Sequence, residues 1–146
     1  MQKTTFSSRA ALAALFLALI LLAAPLTACR KNDGGDLWAD ALYTADTTLG
    51  SGSAAVTVAV TAGDKTVTFT IRTDKATLGD ALSEFSLLDG EMGEFGLYVK
   101  KLNGITADYD ADQYYWGLFS DGEALMTGVD STPVEDGARF ELIRTK

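Results

Sequence analysis

The stretch Val56–Ile71, VTVAVTAGDKTVTFTI, decides the fold of this chain. Valine, phenylalanine or isoleucine occupies every second position on either side of Ala62-Gly63-Asp64, and threonine or alanine separates them. A period of two with β-branched residues is typical of strands that are apolar on one face. Since a glycine-containing turn joins the two runs, the stretch predicts an amphipathic β-hairpin.

The residues after the hairpin predict a single helix. Thr77-x-x-Asp80 has the form of a capping box, in which the threonine side chain accepts from the Asp80 amide. Gly90 stands where a helix would end. We therefore expect a helix from Leu78 to Gly90, packed on one face of a sheet. Its apolar positions, at helical spacing, are Leu78, Ala81, Leu82, Phe85 and Leu88.

The rest of the chain predicts more strands. Asn103-Gly104 and Asp121-Gly122 are turn signals, and the second suits a type I′ hairpin. The order of hairpin, helix and strands predicts the α+β class. We expect a β-grasp-like sheet of about five to six strands, closed by the first and last strands, with one helix on one face. The additional strands are expected at residues 95–99, 114–119, 124–129 and 139–144.

The N-terminus has the parts of a bacterial lipoprotein signal. Lys3 and Arg9 precede an apolar segment, residues 10–24, which is shorter than the roughly 20 residues of a membrane-spanning helix. The segment Leu26-Thr27-Ala28-Cys29 then reads as a lipobox, so that cleavage before Cys29 would leave a diacylglycerol on its sulfur. An uncleaved membrane anchor with an incidental cysteine is the alternative. Either reading places the remaining chain outside the cytoplasm.

This interpretation divides the chain into three parts. Residues 1–28 form the signal peptide, 29–36 a flexible tether and 37–146 a single domain. The first residues of that domain are ambiguous in secondary structure. Because a bare linker would seldom expose Trp38, Leu42 and Tyr43, we expect residues 37–53 to be a short ordered lead-in that packs on the domain.

Composition excludes several functions. The chain has 12 basic and 20 acidic residues, and removal of the signal takes away two of the basic ones, for a mature charge of −10. Such a surface repels phosphate backbones, which argues against a nucleic-acid partner. There is no histidine, and the single cysteine is Cys29. Since Cys-His and Ser-His-Asp systems and common zinc sites need these residues, we expect a non-enzymatic protein without a metal or cofactor.

Two motifs could bind a ligand. Tyr114, Trp116 and Leu118 would share one face of a strand while Tyr115 and Phe119 share the other, so that one set lies in the core. The set left outside is either ordinary packing or a platform for a ring-bearing ligand or a glycan.

The second motif is acidic. Asp108, Asp110 and Asp112 alternate as in calcium loops, but Gln113 stands where the loop needs glycine and Phe119 where it needs glutamate. We favour the interpretation that these aspartates are solvated side chains in a turn. Binding of a calcium ion by the loop is the alternative.

A series of motifs resembles a known family. The ordered motifs are Gly96-Leu97-Tyr98-Val99, Asn103-Gly104-Ile105, Asp108-Tyr109-Asp110, Tyr115-Trp116, Asp121-Gly122-Glu123 and Met126-Thr127-Gly128-Val129. Together they resemble bacterial surface lipoproteins with a transcobalamin C-terminal-like domain, a group of unknown function. The resemblance covers about residues 37–146. In the cobalamin carriers the similar domain is the smaller half of a clamp around the corrinoid, and the large helical half is missing here.

The resemblance implies a binding module. The expected protein is lipid-anchored at the extracellular face of the cell membrane and captures a small molecule, with cobalamin or a related nutrient as the candidate and a neighbouring transporter as a candidate partner. A surface adhesion module for a protein or a glycan is the alternative. The residues that we expect to contact a ligand are Asn103, Asp108, Tyr109, Asp110, Tyr114 and Tyr115.

Overall fold

The quoted hairpin forms two nine-residue strands in a computed structural model that describes residues 35–146. These strands, β2 (Ala54–Ala62) and β3 (Lys65–Thr73), pair in antiparallel register from Ala54↔Thr73 to Ala62↔Lys65. Their valine, phenylalanine and isoleucine side chains are fully buried, whereas the threonines between them reach the surface. The prediction of an amphipathic hairpin is confirmed.

The described residues are mainly β and form two sheets. The other strands are β1 (Thr47–Gly50), β4 (Leu88–Gly93), β5 (Gly96–Leu102), β6 (Ile105–Thr106), β7 (Tyr115–Ser120), β8 (Glu123–Ala124) and β9 (Arg139–Thr145). The helices are α1 (Leu78–Glu84) and α2 (Tyr109–Asp112), with a 3₁₀ turn at Val129–Ser131.

The large sheet has the order β1-β3-β2-β9-β7-β8, and the small one is β4-β5-β6. The last strand, β9, lies between β2 and β7 and is parallel to β2, so that the first hairpin and the end of the chain meet as expected. The expectation of one sheet in an α+β grasp holds only in part, because the described residues are mainly strand, form two sheets and have few helical residues.

Helix α1 is shorter than the sequence pattern predicts. The Thr77 hydroxyl accepts from the Asp80 amide at 3.2 Å, which confirms the cap. The helix ends at Phe85 because Ser86 takes a left-handed conformation with φ of 56°. The Leu87 amide donates to the Leu82 carbonyl and the Ser86 amide to the Ser83 carbonyl, which is a Schellman ending with serine in the usual place of glycine.

Leu88 and Gly90 therefore belong to strand β4, and the prediction of a helix as far as Gly90 is wrong. The expected return strand at residues 124–129 is also wrong in extent, since β8 stops at Ala124. The polar loop expected before β7 contains α2, a helical turn that the sequence pattern did not predict.

The lead-in packs on the domain as predicted. Trp38 is buried, and its indole N–H donates to the Ala62 carbonyl at 3.0 Å. Tyr43 contacts Phe69 edge to face, with ring centroids 5.6 Å apart. These contacts anchor residues 37–53 to the large sheet.

The signal segment, Cys29 and the tether as far as residue 34 lie outside the described residues. Within residues 35–146, no helix is long and apolar enough to cross a membrane.

Candidate functional site

A groove separates strand β5 of the small sheet from strand β7 of the large sheet. Its cavity volume is about 250 Å³. The walls are mostly apolar and aromatic, as is typical of small-molecule sites. The groove is lined by residues 97–99 of β5, 115–118 of β7, Leu125, residues 127–129 and Leu142.

The groove exists because the neighbouring strands are short. Strand β8 pairs only with Phe119 and Ser120, and β6 pairs only with Lys101 and Leu102. The Leu125 amide donates to the Leu118 carbonyl at 2.9 Å, which extends the pairing by one bond. In an antiparallel sheet, every second residue of a strand directs its backbone N–H and C=O towards the same edge of that strand. Trp116, two residues before Leu118, therefore directs its backbone N–H and C=O to an edge that β8 does not reach.

The side chain of Trp116 carries an unsatisfied polar group. Trp116 is 8% exposed, and its indole N–H has no acceptor within residues 35–146. Burial of a donor without an acceptor costs about 1–3 kcal/mol. A hydrogen-bond acceptor on a bound molecule would remove that cost, provided that a small rotation of the side chain uncovers the nitrogen.

Two partly exposed tyrosines line the groove, and a third lies beside one of them. Tyr98 and Tyr115 line it, and Tyr109 lies beside Tyr98, whose hydroxyl accepts from the Tyr109 amide at 3.1 Å. Trp116 and Leu118 are buried while Tyr115 is exposed, so the expected division of this strand into a core face and an outer face is confirmed.

Tyr114 has different surroundings from the other tyrosines. It precedes β7 and is half-buried, and the Arg144 guanidinium lies over its ring at 3.8 Å from the centroid. Arg144 also donates to the Asp112 carboxylate at 2.6 Å and to the Thr106 carbonyl at 2.8 Å. Tyr114 thus belongs to a cluster that fixes α2 to the end of β9.

The three alternating aspartates serve mainly to build α2. Asp108 caps this turn by accepting from the Asp110 amide at 3.3 Å. Asp112 accepts from the Asp108 and Tyr114 amides and from Arg144. Asp110 is the exposed member. In the part of the chain that the structure describes, no group of three or more acidic, histidine or cysteine side chains is arranged to hold a metal ion.

Lys100 links the acidic turn to the small sheet. Its ammonium lies 3.1 Å from the Glu91 carboxylate and 3.5 Å from that of Asp108. The hydrogen bond to Glu91 is the main cause that raises the pKa of Lys100, and partial burial opposes it. The positive charge of Lys100 is therefore already paired with carboxylates.

Asn103 has the contacts of a structural residue. It is completely buried, its side-chain oxygen accepts from the Tyr43 amide at 3.0 Å, and its NH₂ group donates to the Tyr43 carbonyl at 2.8 Å. The backbone of Asn103 also bonds to Leu42 and Leu87. Of the six residues that we expected to contact a ligand, the structure brings Tyr115 to the groove and Tyr109 beside it, and it places Asn103 away from the groove.

The exposed apolar residues at the outer end of the groove were not predicted. Phe95, at the tip of the β4–β5 hairpin, is 94% exposed, and Met126, after β8, is 99% exposed. The Gly128 backbone approaches the Leu97 carbonyl, so that these two loops meet at the groove. Phe95 lies between Glu94 and a glycine instead of within a strand, and this turn position is the sequence signal that could have indicated its exposure.

Comparisons with known proteins agree with this architecture. Residues 75–142 match the sequence profile of a domain of unknown function, DUF4430. A provisionally assigned metal-binding protein from Ruminococcus gnavus ATCC 29149 is 39% identical, with a TM-score of 0.61 over 64% of this chain and 98% of that one. Haptocorrin in complex with Cbi is 21% identical, with a TM-score of 0.55 over 67% of this chain and 26% of that one. A comparison with curated proteins finds no significant match.

Fold and groove together define a small, mainly β domain of the kind that also occurs in haptocorrin. The chain belongs to the DUF4430 family, on the strength of the profile match and of the 39% identity to nearly the whole R. gnavus protein. The chain spans about a quarter of the length of the haptocorrin structure, and at 21% identity the likeness concerns the fold alone.

Proposed function

We propose that this protein is a non-enzymatic binding module that holds a small ring-bearing molecule in the groove between β5 and β7. The carrying observation is Trp116, whose buried indole N–H lacks an acceptor within the described residues and whose backbone faces an edge that β8 does not cover. Tyr98 and Tyr115 flank it with partly exposed rings. Aromatic rings offer flat apolar area together with hydroxyl groups, which suits a ring with polar substituents.

A corrinoid such as cobalamin is the ligand that we place first. The fold is similar to that of haptocorrin, which was determined in complex with Cbi. A corrinoid far exceeds the groove volume of about 250 Å³, so most of the ligand would stay outside it. Affinity should then be modest, because the burial that tight ligand binding needs is incomplete. Weak capture followed by transfer to a neighbouring transporter is consistent with a role in nutrient uptake.

The absence of histidine supports a non-enzymatic role. Cys29, the single cysteine, is assigned to lipid in this proposal, so no nucleophile-base pair of the common kinds can be assembled. The protein would work by binding alone.

Replacement of Tyr115 by alanine is expected to weaken corrinoid binding about fivefold to tenfold, because one ring contact is lost. Trp116→Phe keeps an aromatic side chain in the wall but removes the indole donor, and it should weaken binding by about fivefold. Equilibrium dialysis with cobinamide and cobalamin measures both effects. Leu42→Ala is the matched control, because Leu42 is exposed and lies outside the groove. Unchanged affinity in both groove variants would overturn this assignment of the site.

The proposed location at the extracellular face of the membrane rests on the lipobox. Cys29→Ser should remove the diacylglyceryl mass from the N-terminal region of the protein, because the acylated sulfur is lost. Mass spectrometry of the wild-type N-terminal peptide should show the diacylglyceryl group. Arg30→Gln is the control and should keep the diacylglyceryl group. A wild-type protein that keeps residues 1–28 and carries no diacylglyceryl group would instead indicate an uncleaved anchor.

A surface adhesion module is the second candidate function. Phe95 and Met126 are almost fully exposed, and exposed apolar side chains often mark contacts with other macromolecules. Under this alternative, no corrinoid binds, and replacement of Phe95 and Met126 by serine reduces attachment of the protein to cell surfaces. Corrinoid binding that is insensitive to those replacements supports the first function.

A further inference from the structure

A second and larger cavity lies on the other side of the segment Leu125–Thr127. Its volume is about 600 Å³, within the range of small-molecule sites. The turn between β7 and β8 forms one wall, and the chain entering β9 forms the other. The lining residues are Ser120, Asp121, Leu125, Thr127, Thr132, Pro133, Glu135, Gly137, Ala138, Arg139 and Phe140.

Three charged side chains face this cavity without pairing to one another. Arg139, Asp121 and Glu135 are exposed, and among the ion pairs of residues 35–146 none involves these three groups. An exposed ion pair gains only about 0–1 kcal/mol, so these side chains can turn towards a ligand at little cost. Their separation around one cavity leaves a positive and a negative position free for a ligand that carries both signs.

The hydroxyl groups of Ser120 and Thr132 already have hydrogen-bond partners, so the charged side chains are the main polar groups that a ligand could contact. The Ser120 hydroxyl donates to the Arg139 carbonyl at 3.1 Å, and the Thr132 hydroxyl donates to the Gly128 carbonyl at 2.8 Å. These hydroxyl protons are therefore already committed. Leu125 and Phe140 also line the cavity, which gives it an apolar part of the wall.

We propose that this cavity binds a small zwitterion, a free amino acid or a short peptide with free termini. The Arg139 guanidinium would hold the carboxylate, since its planar fork matches a carboxylate in two parallel hydrogen bonds. Glu135 or Asp121 would hold the ammonium group. Apolar side chains of the ligand would cover Leu125 and Phe140. This site is distinct from the aromatic groove and does not depend on the function proposed there.

Calorimetric titration of the purified protein with the dipeptide Leu-Leu tests the proposal. We expect binding at millimolar concentration and a loss of at least about threefold in affinity when the dipeptide is N-acetylated or C-amidated. Arg139→Gln should abolish the preference for a free carboxylate, and Glu135→Gln should weaken the preference for a free amine. Arg72→Gln is the matched control, since Arg72 is exposed and does not line the cavity.

Two results would overturn the zwitterion site: no heat of binding for the dipeptide or for free leucine, or equal affinity for the blocked forms. Trp116→Phe separates this site from the groove. It should leave dipeptide binding unchanged, and Arg139→Gln should leave corrinoid binding unchanged, so that either proposal can fail alone.

Discussion

Replacement of Trp38 by alanine is expected to lower the free energy of unfolding by about 3–5 kcal/mol, as for other large buried aromatic residues. Trp38 is 8% exposed, and its indole N–H donates to the Ala62 carbonyl. The Lys65 ammonium also lies over its ring at 4.8 Å. Truncation therefore removes apolar burial and leaves the carbonyl at the end of β2 without this donor. Urea unfolding followed by circular dichroism measures the change.

Leu37→Ala is the control for Trp38. Leu37 is the preceding residue in the same lead-in, but it is more than a third exposed. Its replacement should cost less than about 1 kcal/mol, which is typical of surface positions. If the two variants lose a similar free energy of unfolding, the burial of Trp38 is not what anchors the lead-in, and the prediction is wrong.

Replacement of Asn103 by alanine is expected to cost about 3–4 kcal/mol. The Asn103 side chain bonds to both the N–H and the C=O of Tyr43, and its loss would leave a partly buried donor and acceptor without these partners, at up to about 1–3 kcal/mol each. Asn103 also has φ of 51°, which asparagine tolerates better than alanine. Thermal and urea unfolding of the variant measure the loss.

Asp121→Ala separates these two effects. Asp121 also has φ of 51° before a glycine with positive φ, in the equivalent turn between β7 and β8, but it is exposed. Alanine at Asp121 therefore reports the backbone strain alone, at about 1 kcal/mol. An Asn103→Ala protein no less stable than Asp121→Ala would contradict the structural role that its contacts give to Asn103.

The parts of the fold that sequence predicted are those governed by local chemistry. Alternation over Val56–Ile71 defines the hairpin, and the Thr77 hydroxyl defines the start of α1. Asn103-Gly104 and Asp121-Gly122 both adopt the positive φ angles that tight two-residue turns require. In each case a few adjacent residues determine the conformation.

The missed features depend on tertiary context or on competing local signals. Phe85 and Leu88 have helical spacing, but Ser86 adopts a left-handed conformation that serine seldom takes, and the following residues pair with β5. The second sheet follows from that pairing. Alternation places Tyr115 and Trp116 on opposite faces of the strand but does not tell which face is exposed. The missing acceptor for the indole N–H of Trp116 depends on tertiary surroundings that the pattern does not contain.

The position of β9 has a consequence for how the chain matures. This strand is the last one in sequence, yet it lies in the middle of the large sheet, between β2 and β7. Before β9 has been synthesised, β2 and β7 have no strand between them, and the core lacks Phe140 and Leu142. A nascent chain that lacks its final residues therefore cannot complete the domain, however early the first hairpin forms.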